Sequence, residues 1–227
     1  MTKISFVIPC FNNEENIDDL FTALIENEKQ FQQVYFEYVM VDDASSDKTS
    51  EVLRKWQKNY SEKIKVIELK KNIGSHKAVF KGLNSVKGDC VIVMAADLQD
   101  PPELSYNMFQ EWQSGNKLVL AIKNNPLPAF SKLFHNIMRT LFVNRAPKGA
   151  FDYVLFDKSL FSELHKSTVK NCNIFYRLVD LQPEFLILSY TKEKRQKGKS
   201  GWTSSKKIFF FLENIAAYSL NKSGIKK

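Results

Sequence analysis

Long apolar runs are missing from this chain of 227 residues. Nowhere do about 18 apolar residues follow one another, so no segment can cross a bilayer by itself. Cysteine is scarce. Cys10, Cys90 and Cys172 are odd in number and far apart, which excludes a disulfide framework and a C-x-x-C metal knuckle and points to a reducing, cytosolic setting. Cys10 and Cys90 lie at or inside apolar runs and read as small buried hydrophobes rather than reactive thiols. His76, His135 and His165 have no ligand-like spacing, so solvated or hydrogen-bonded histidines are the expectation. The amino-terminal MTKISFVIPC is too short for a secretory apolar region and reads as a first strand. No internal repeat or low-complexity linker is present.

What the chain does have is 44% hydrophobic and 13% aromatic residues, enough to bury one ordinary core and too much for a disordered segment. Its net charge of +8 is unevenly placed. From Lys192 onward there are ten Lys or Arg against two Glu, whereas residues 1–191 carry 23 of each sign. A basic tail of this kind suits nucleic acid, an anionic membrane surface or a phosphorylated ligand.

Short β-rich runs at 4–8, 38–41, 65–69, 90–94 and 118–122 alternate with helical patterns, which predicts βα units and a mostly parallel sheet. Ile17, Leu20, Phe21, Leu24 and Ile25 recur at helical spacing, and Asn12 with Glu15 resembles a capping box opening that helix. Val52, Leu53 and Trp56 mark a second helix; Ala78, Val79, Gly82 and Leu83 mark a third. Beyond residue 125 the pattern is less regular, with helices expected near 130–141 and 158–166 and a strand at 185–189.

Ligands of open α/β sheets bind at the carboxyl ends of the strands. There the sequence places PCFNNEEN, DDASSDKT, KNIGSHKA and AADLQDPPE, four loops rich in carboxylates, amides and small residues. Asp42, at a strand end and facing the rim, is placed to accept from a base N–H or a ribose hydroxyl. Ser46 and Asp47 are equally well explained as turn and cap formers. Asp100 reads as a helix N-cap, with Pro101 at the first helical position and Glu103 two beyond. Asp97 and Gln99, at alternate positions of an extended segment, would point the same way and share one hard cation, Mg²⁺ or Mn²⁺.

The ordered set VIPCFNNEENI, VDDASSDKT, NIGSHKAVFKGL and AADLQDPPE resembles the family-2 inverting glycosyltransferases of GT-A fold. DLQDPPE with the later RQKGKSGWT narrows the likeness to the polyprenyl-phosphate sugar transferases, dolichyl- and undecaprenyl-phosphate alike. The resemblance covers nearly the whole chain and implies a Rossmann-like α/β fold. It places Pro9, Asn12, Glu14 and Asp42 around the nucleotide base and ribose, with Asn72 and Gly74 nearby. Asp97 and Gln99 match the ligands of a divalent cation and the diphosphate. Arg195, Gly198 and Ser200 match a segment that folds over the diphosphate and acceptor phosphate. Lys123 stands where relatives carry an arginine for the acceptor phosphate, and Asp152 where they carry an aspartate near the transferred sugar. Ala95 departs from the usual DADLQD, leaving the cation one carboxylate fewer, and Gly201 stands where many relatives have lysine.

The implied activity is transfer of a sugar from a UDP- or GDP-sugar to a polyprenyl phosphate, with inversion. Two alternatives stand: transfer to a sugar hydroxyl, for which Asp152 is the candidate base, or a non-catalytic nucleotide-sugar-binding relative. The expected organisation is a glycosyltransferase domain over 1–190, with a donor half at 1–125 and an acceptor half at 126–190, then a basic loop and amphipathic helix over 191–227. In that helix Ile208, Phe211, Leu212, Ile215 and Ser219 form a stripe that packs on the core or lies in the interface of an anionic membrane, with Trp202, Phe209 and Phe210 able to insert. The implied location is peripheral, on the inner face of the cell membrane, or anchored if the natural chain continues into transmembrane helices as many relatives do. An acidic rim argues against nucleic acid, and the resemblance leaves room for a homo-oligomer.

Overall fold

The computed structural model describes residues 1–166, 173–193, 197 and 204–224. Among them seven strands form one sheet in the order β3-β2-β1-β4-β6-β5-β7. β1 (Thr2–Cys10), β2 (Val34–Asp42), β3 (Ile64–Glu68) and β4 (Cys90–Val93) are parallel, as are β5 (Leu118–Lys123) and β7 (Leu186–Tyr190). β6 (Tyr153–Asp157) alone runs against its neighbours β4 and β5. The central strands are buried on both faces, which is why SFVI and CVIV read as continuous apolar runs instead of alternating ones.

Helices cover both faces. α1 (Glu14–Glu28), α2 (Thr49–Asn59) and α4 (Leu104–Gln113) bury Ile17, Leu20, Phe21, Leu24, Leu53, Met108 and Phe109 in one core. α3 (Ser75–Leu83), α5 (Ala129–Ile137), the π-helical turn Met138–Phe142, α6 (Lys158–Lys166), α7 (Ile174–Leu181) and α8 (Ser204–Gly224) contribute to the other. The α/β architecture, the mostly parallel sheet and the carboxyl-terminal helix agree with the expectation.

The chain winds from β1 outward to β2 and β3, then crosses back to place β4 on the far side of β1. That reversal is the switch point at which open sheets of this kind hold their ligands. Pairing of β1 with β4 stops at Val7↔Val93, while β1 continues beside β2 to Cys10↔Asp42. Cys10 O accepts from Asp43 N on the β2 side, so Pro9 turns its ring nitrogen to the open β4 side, where the lost N–H removes no ladder bond.

The departures from expectation have identifiable causes. YVLFD is a five-residue strand with no alternation, short enough to disappear between an irregular stretch and a helix. α7 begins at an N-cap, Asn173, whose Oδ1 accepts from Phe175 N at 2.8 Å. α4 starts at Leu104 and Asp100 does not cap it. The Asn12–Glu15 capping box is also absent: α1 starts at Glu14 after Asn13 and no side chain caps it. Along α8 the seam is rotated from the apolar stripe. Ile208, Leu212 and Ser219 are exposed, whereas Asn214 and Tyr218 are buried and Phe210 is half-buried. Asn214 explains the shift, because its Oδ1 accepts from Asn173 N at 2.5 Å and its Nδ2 donates to Phe210 O at 2.7 Å. A polar side chain at the centre of a packed face defeats a hydrophobic pattern. Among the described residues no helix is long and apolar enough to cross a membrane.

α3 lies close on β1 and β2 because Gly82 has no side chain. A Cβ there would sit 2.6 Å from Val7 Cγ1 and 2.8 Å from Val41 Cγ2, methyls on stiff, fully buried strand residues. Gly82→Ala is expected to destabilise the fold by up to roughly 2 kcal/mol, since overpacking of about 1–3 kcal/mol outweighs a helix-propensity gain of about 1. Urea denaturation checks this as a lower midpoint with an unchanged slope.

Candidate active site

Four loops meet at the carboxyl rim, and each carries a residue with positive φ: Asn12 (52°), Ala44 (57°), Gly74 (89°) and Leu98 (54°). Asn, Ala and Leu hold this conformation against a steric cost, which collects at functional sites. The first two loops interlock. Asn12 N donates to Ser45 Oγ and Ser46 N to Asn12 Oδ1, both at 2.9 Å. Glu14 Oε2 accepts from Lys48 N at 2.7 Å and Glu14 N donates to Asp47 Oδ2 at 3.2 Å. Asp42 is buried, and its Oδ1 accepts from the Ser45 hydroxyl and, at 3.2 Å, from Ser45 N. Burial raises its pKa while the Ser45 bonds oppose the rise.

Asp43, which sequence reading passed over, organises the third loop. Its carboxylate accepts from Ile73 N at 2.7 Å and Gly74 N at 2.8 Å, and its carbonyl from Asn72 Nδ2 at 3.2 Å. A Cβ at Gly74 would meet nothing within 4 Å. Its φ, rather than crowding, is what asks for glycine there. Pro9, Asn12, Glu14, Asp42, Asn72 and Gly74 therefore stand along one edge of the rim, on the loops after β1, β2 and β3.

The fourth loop corrects an expectation. Leu98, at φ 54°, turns the backbone, so Asp97 and Gln99 are not alternate residues of an extended segment. The turn lets Asp97 Oδ1 accept from Gln99 N at 3.3 Å. Gln99 turns Nε2 to Glu193 O at 2.9 Å, which directs its amide oxygen the other way. Among the described residues no three His, Cys, Asp or Glu side chains gather to hold a metal ion. What this loop offers a hard cation is one carboxylate and one amide oxygen, a donor set that fits Mg²⁺ or Mn²⁺ when a diphosphate and water complete the shell.

A second group of charges lies beside this loop. β6 runs backwards, so Asp152 at its start reaches the same rim as Lys123 at the end of β5. Lys123 Nζ stands 2.7 Å from Asp152 Oδ1, with the two side chains 11% and 47% exposed. Burial alone would raise the Asp152 pKa; the positive charges of Lys123 and Lys192 and the Lys123 hydrogen bond outweigh it and hold the carboxyl below its ordinary range. Lys123 is correspondingly held charged: burial works against the ammonium, and Asp152 and Asp100 overcome it.

Asp100 belongs to this cluster and not to a helix cap. It is buried, accepts from Tyr190 Oη at 2.5 Å and lies 3.5 Å from Lys192 Nζ. Burial, then the neighbouring Asp152, raises its pKa, with Lys192 and Lys123 opposing. Tyr153 Oη donates to Pro101 O at 3.2 Å, holding the prolines over the sheet. Lys192 escaped sequence reading because one lysine at the head of a basic tail looks solvated. The available signal was that it follows a strand end, as Lys123 does.

Two histidines back the cluster. His135 Nδ1 and Tyr176 Oη are 2.6 Å apart, and His76 stacks on Phe210 at 4.6 Å between ring centroids. Burial pushes both imidazoles down to about 4, so they are neutral at pH 7. His165 is exposed and packs against Phe80 and Phe161. Cys10 and Cys90 are free and buried, as read. Arg195, Gly198, Ser200, Gly201, Trp202 and Cys172 lie outside the described residues. Lys197 is described and pairs with Asp19 of α1 at 2.5 Å.

A model of the family described as glycosyl transferase family 2 matches residues 5–156. An uncharacterized glycosyltransferase of Synechocystis sp. is 28% identical over 227 residues, covering 96% of this chain and 70% of that protein. An undecaprenyl-phosphate 4-deoxy-4-formamido-L-arabinose transferase of Photorhabdus laumondii is 34% identical over 152 residues, which is 66% of this chain but only 46% of that protein. The chain thus spans about half the length of that named relative. Glucosyl-3-phosphoglycerate synthase of Mycobacterium tuberculosis, solved with Mn²⁺, UDP and glucosyl-3-phosphoglycerate, superposes with a TM-score of 0.67 at 12% identity, covering 96% of this chain and 80% of that one. That likeness shows a shared GT-A fold.

The Lys123–Asp152 pair yields a stability test. A carboxyl held low by a partner adds stability above the ordinary carboxylate pKa, near 4, and loses it as pH falls through the lower folded value. Lys123→Met is expected to cost about 1–2 kcal/mol near pH 7, less than the roughly 3–5 of a fully buried pair because Asp152 is half-exposed. Without Lys123 the carboxyl protonates more readily, so the deficit is expected to shrink between about pH 7 and about pH 4.5. Urea denaturation at both values reads the difference; an equal deficit at each would contradict the reading.

Proposed function

The chain belongs to glycosyl transferase family 2, and from that premise we propose that it transfers a sugar from a UDP- or GDP-sugar to a polyprenyl phosphate, inverting the anomeric centre. The observation that carries the choice of acceptor is the Lys123–Asp152 ion pair. A hydroxyl acceptor needs a base to take its proton, and a carboxylate held below its ordinary range is a poor one. A phosphomonoester is largely a dianion at pH 7, its second pKa being near 6, and needs no base. The relatives named as undecaprenyl-phosphate transferases support the same acceptor class.

In this reading one acceptor phosphate oxygen forms a bond to the anomeric carbon as the bond from that carbon to the diphosphate breaks, and the nucleoside diphosphate leaves. The protein's part is alignment and charge. Asp42, Asn12 and Glu14, with Pro9, Asn72 and Gly74, line the base and ribose edge. Lys123 holds the acceptor phosphate, and Asp152 keeps that ammonium charged and faces the sugar. Asp97 and Gln99 are the residues that would hold Mg²⁺ or Mn²⁺, which when bound neutralises the departing diphosphate. Arg195, Gly198 and Ser200 follow Glu193, the residue beyond β7 that Gln99 grips, and are assigned to the diphosphate and acceptor phosphate.

A lipid acceptor calls for a membrane-facing surface. Ile208, Leu212 and Phe209, the last 67% exposed, stand out from α8 beside exposed Phe130 and Leu133 of α5, with Phe130 and Phe211 5.8 Å apart. This apolar face, carried by the basic end of the chain, suits peripheral docking on the inner face of the cell membrane. The function test supplies a panel of UDP- and GDP-sugars with undecaprenyl phosphate, with and without Mg²⁺ or Mn²⁺, and follows nucleoside diphosphate release and sugar on the lipid. Label on the lipid is expected for one donor. Turnover onto sugar hydroxyls alone, or donor binding with no turnover on any acceptor, would overturn the proposal. Asp97→Ala is expected to lower turnover by at least about a hundredfold without loss of folding; near-full turnover would remove Asp97 from its assigned place.

A further inference from the structure

The segment leaving β7 is fastened more heavily than a connection requires. Asn124 N donates to Tyr190 O at 2.8 Å. Asn125 and Lys192 exchange two bonds, from Lys192 N to Asn125 Oδ1 at 2.6 Å and from Asn125 Nδ2 to Lys192 O at 3.2 Å. Gln99 and Glu193 exchange two more, at 2.9 Å each. At the centre, Tyr190 Oη and Lys192 Nζ both address Asp100 Oδ1. The Lys192 side chain is left only 20% exposed, although it begins a stretch with ten cations in 36 residues.

A lysine of a solvated tail keeps its rotamer freedom; this one gives it up. It is held next to Lys123, itself largely buried, with the half-exposed Asp152 side chain alongside. Two ammonium groups side by side repel, and the buried Asp100 and half-exposed Asp152 carboxylates offset that repulsion at a desolvation cost. The formal charges of the group balance, so what Lys192 adds is not net charge but a second fixed ammonium at the rim, beside Lys123, for an anion of more than one charge. Each ammonium has three N–H donors, which a single carboxylate contact does not exhaust.

Resting on the polyprenyl-phosphate reading above, we propose that Lys192 is a further cation of the acceptor-phosphate subsite, acting with Lys123. Asp100 and Tyr190 are the positioning residues that hold it there: Asp100 faces the ammonium and Tyr190 holds Asp100, while Lys192 makes the contact. The arrangement gives a dianion a second fixed ammonium donor beside Lys123.

The test is calorimetric binding of farnesyl phosphate to the full chain, with farnesol and UDP titrated separately. Lys192→Ala is expected to weaken farnesyl phosphate binding on the order of tenfold to a hundredfold, the size of a lost charge-assisted hydrogen bond, with UDP binding unchanged. Lys192→Arg is expected to restore most of the affinity. Tyr190→Phe, which removes one hydroxyl, is expected to weaken the phosphate probe alone, by a smaller factor. If Lys192→Ala binds farnesyl phosphate like the parent, or loses UDP in parallel, the assignment of Lys192 is overturned and the acceptor reading stands. If the parent binds farnesyl phosphate no better than farnesol, the acceptor reading itself falls, and Lys192 with it.

Discussion

One reversed strand decides which side chains can meet. In a wholly parallel sheet the rim at the carboxyl ends receives only residues that follow strands, and residues that precede strands lie at the opposite edge. β6 runs the other way, between β4 and β5, so the residue before it, Asp152, arrives at the rim. There it meets Lys123, which closes β5, and the loop after β4. With β7 parallel to β5 and Tyr190 opposite Lys123, the next few residues are drawn over the same place. The edge proposed for the donor depends on the switch point between β1 and β4, and the edge proposed for the acceptor on the reversal of β6. The two adjoin because β4 belongs to both.

The charged cluster is poor value if stability is the only measure. Taking Asp100, Lys123 and Lys192 largely out of water, and Asp152 partly, costs up to several kcal/mol per charge before their mutual attraction is counted, and apolar side chains of similar volume often serve a fold as well or better. What the arrangement does secure is protonation state. Asp152 stays ionised and Lys123 stays charged although both are largely desolvated where they touch. Positive φ at Asn12, Ala44 and Leu98 is a cost of the same kind, borne in three of the four loops at the rim. Strain and buried charge both collect there while the rest of the sheet is packed with ordinary Val, Ile and Phe.

The sheet was legible in the sequence as far as β5 because buried parallel strands are apolar throughout and the loops between them carry chemistry. β6 was not, since five apolar residues without alternation resemble any buried segment, and α7 follows residues with no strong pattern. The first three rim loops were read for their side chains, and their side chains do meet. Their backbones were not legible: Asn12 resembled a helix cap but occupies a left-handed turn, and Leu98 gave no sign of one. Asp100 shows the same limit from the other side. Asp-Pro-Pro is a good helix opening by local rules, and only tertiary context, Tyr190 and Lys192 from 90 residues away, makes it a buried carboxylate instead.

α3 carries that context one step further, because its amino-terminal turn is held from two sides. Asp43 grips Ile73 N and Gly74 N just before the helix. Two and three residues after Gly74, His76 stacks on Phe210 and Lys77 pairs with Glu213 at 2.5 Å, both partners on α8. The turn that lines the donor edge and the helix that presents the exposed apolar face are therefore joined through fewer than two turns of helix. Any shift of α8 along α3 has to break the His76–Phe210 stack and the Lys77–Glu213 ion pair before it leaves Gly74 where it was. The face proposed to meet lipid and the loop proposed to meet nucleotide are in this fold two ends of one short connection.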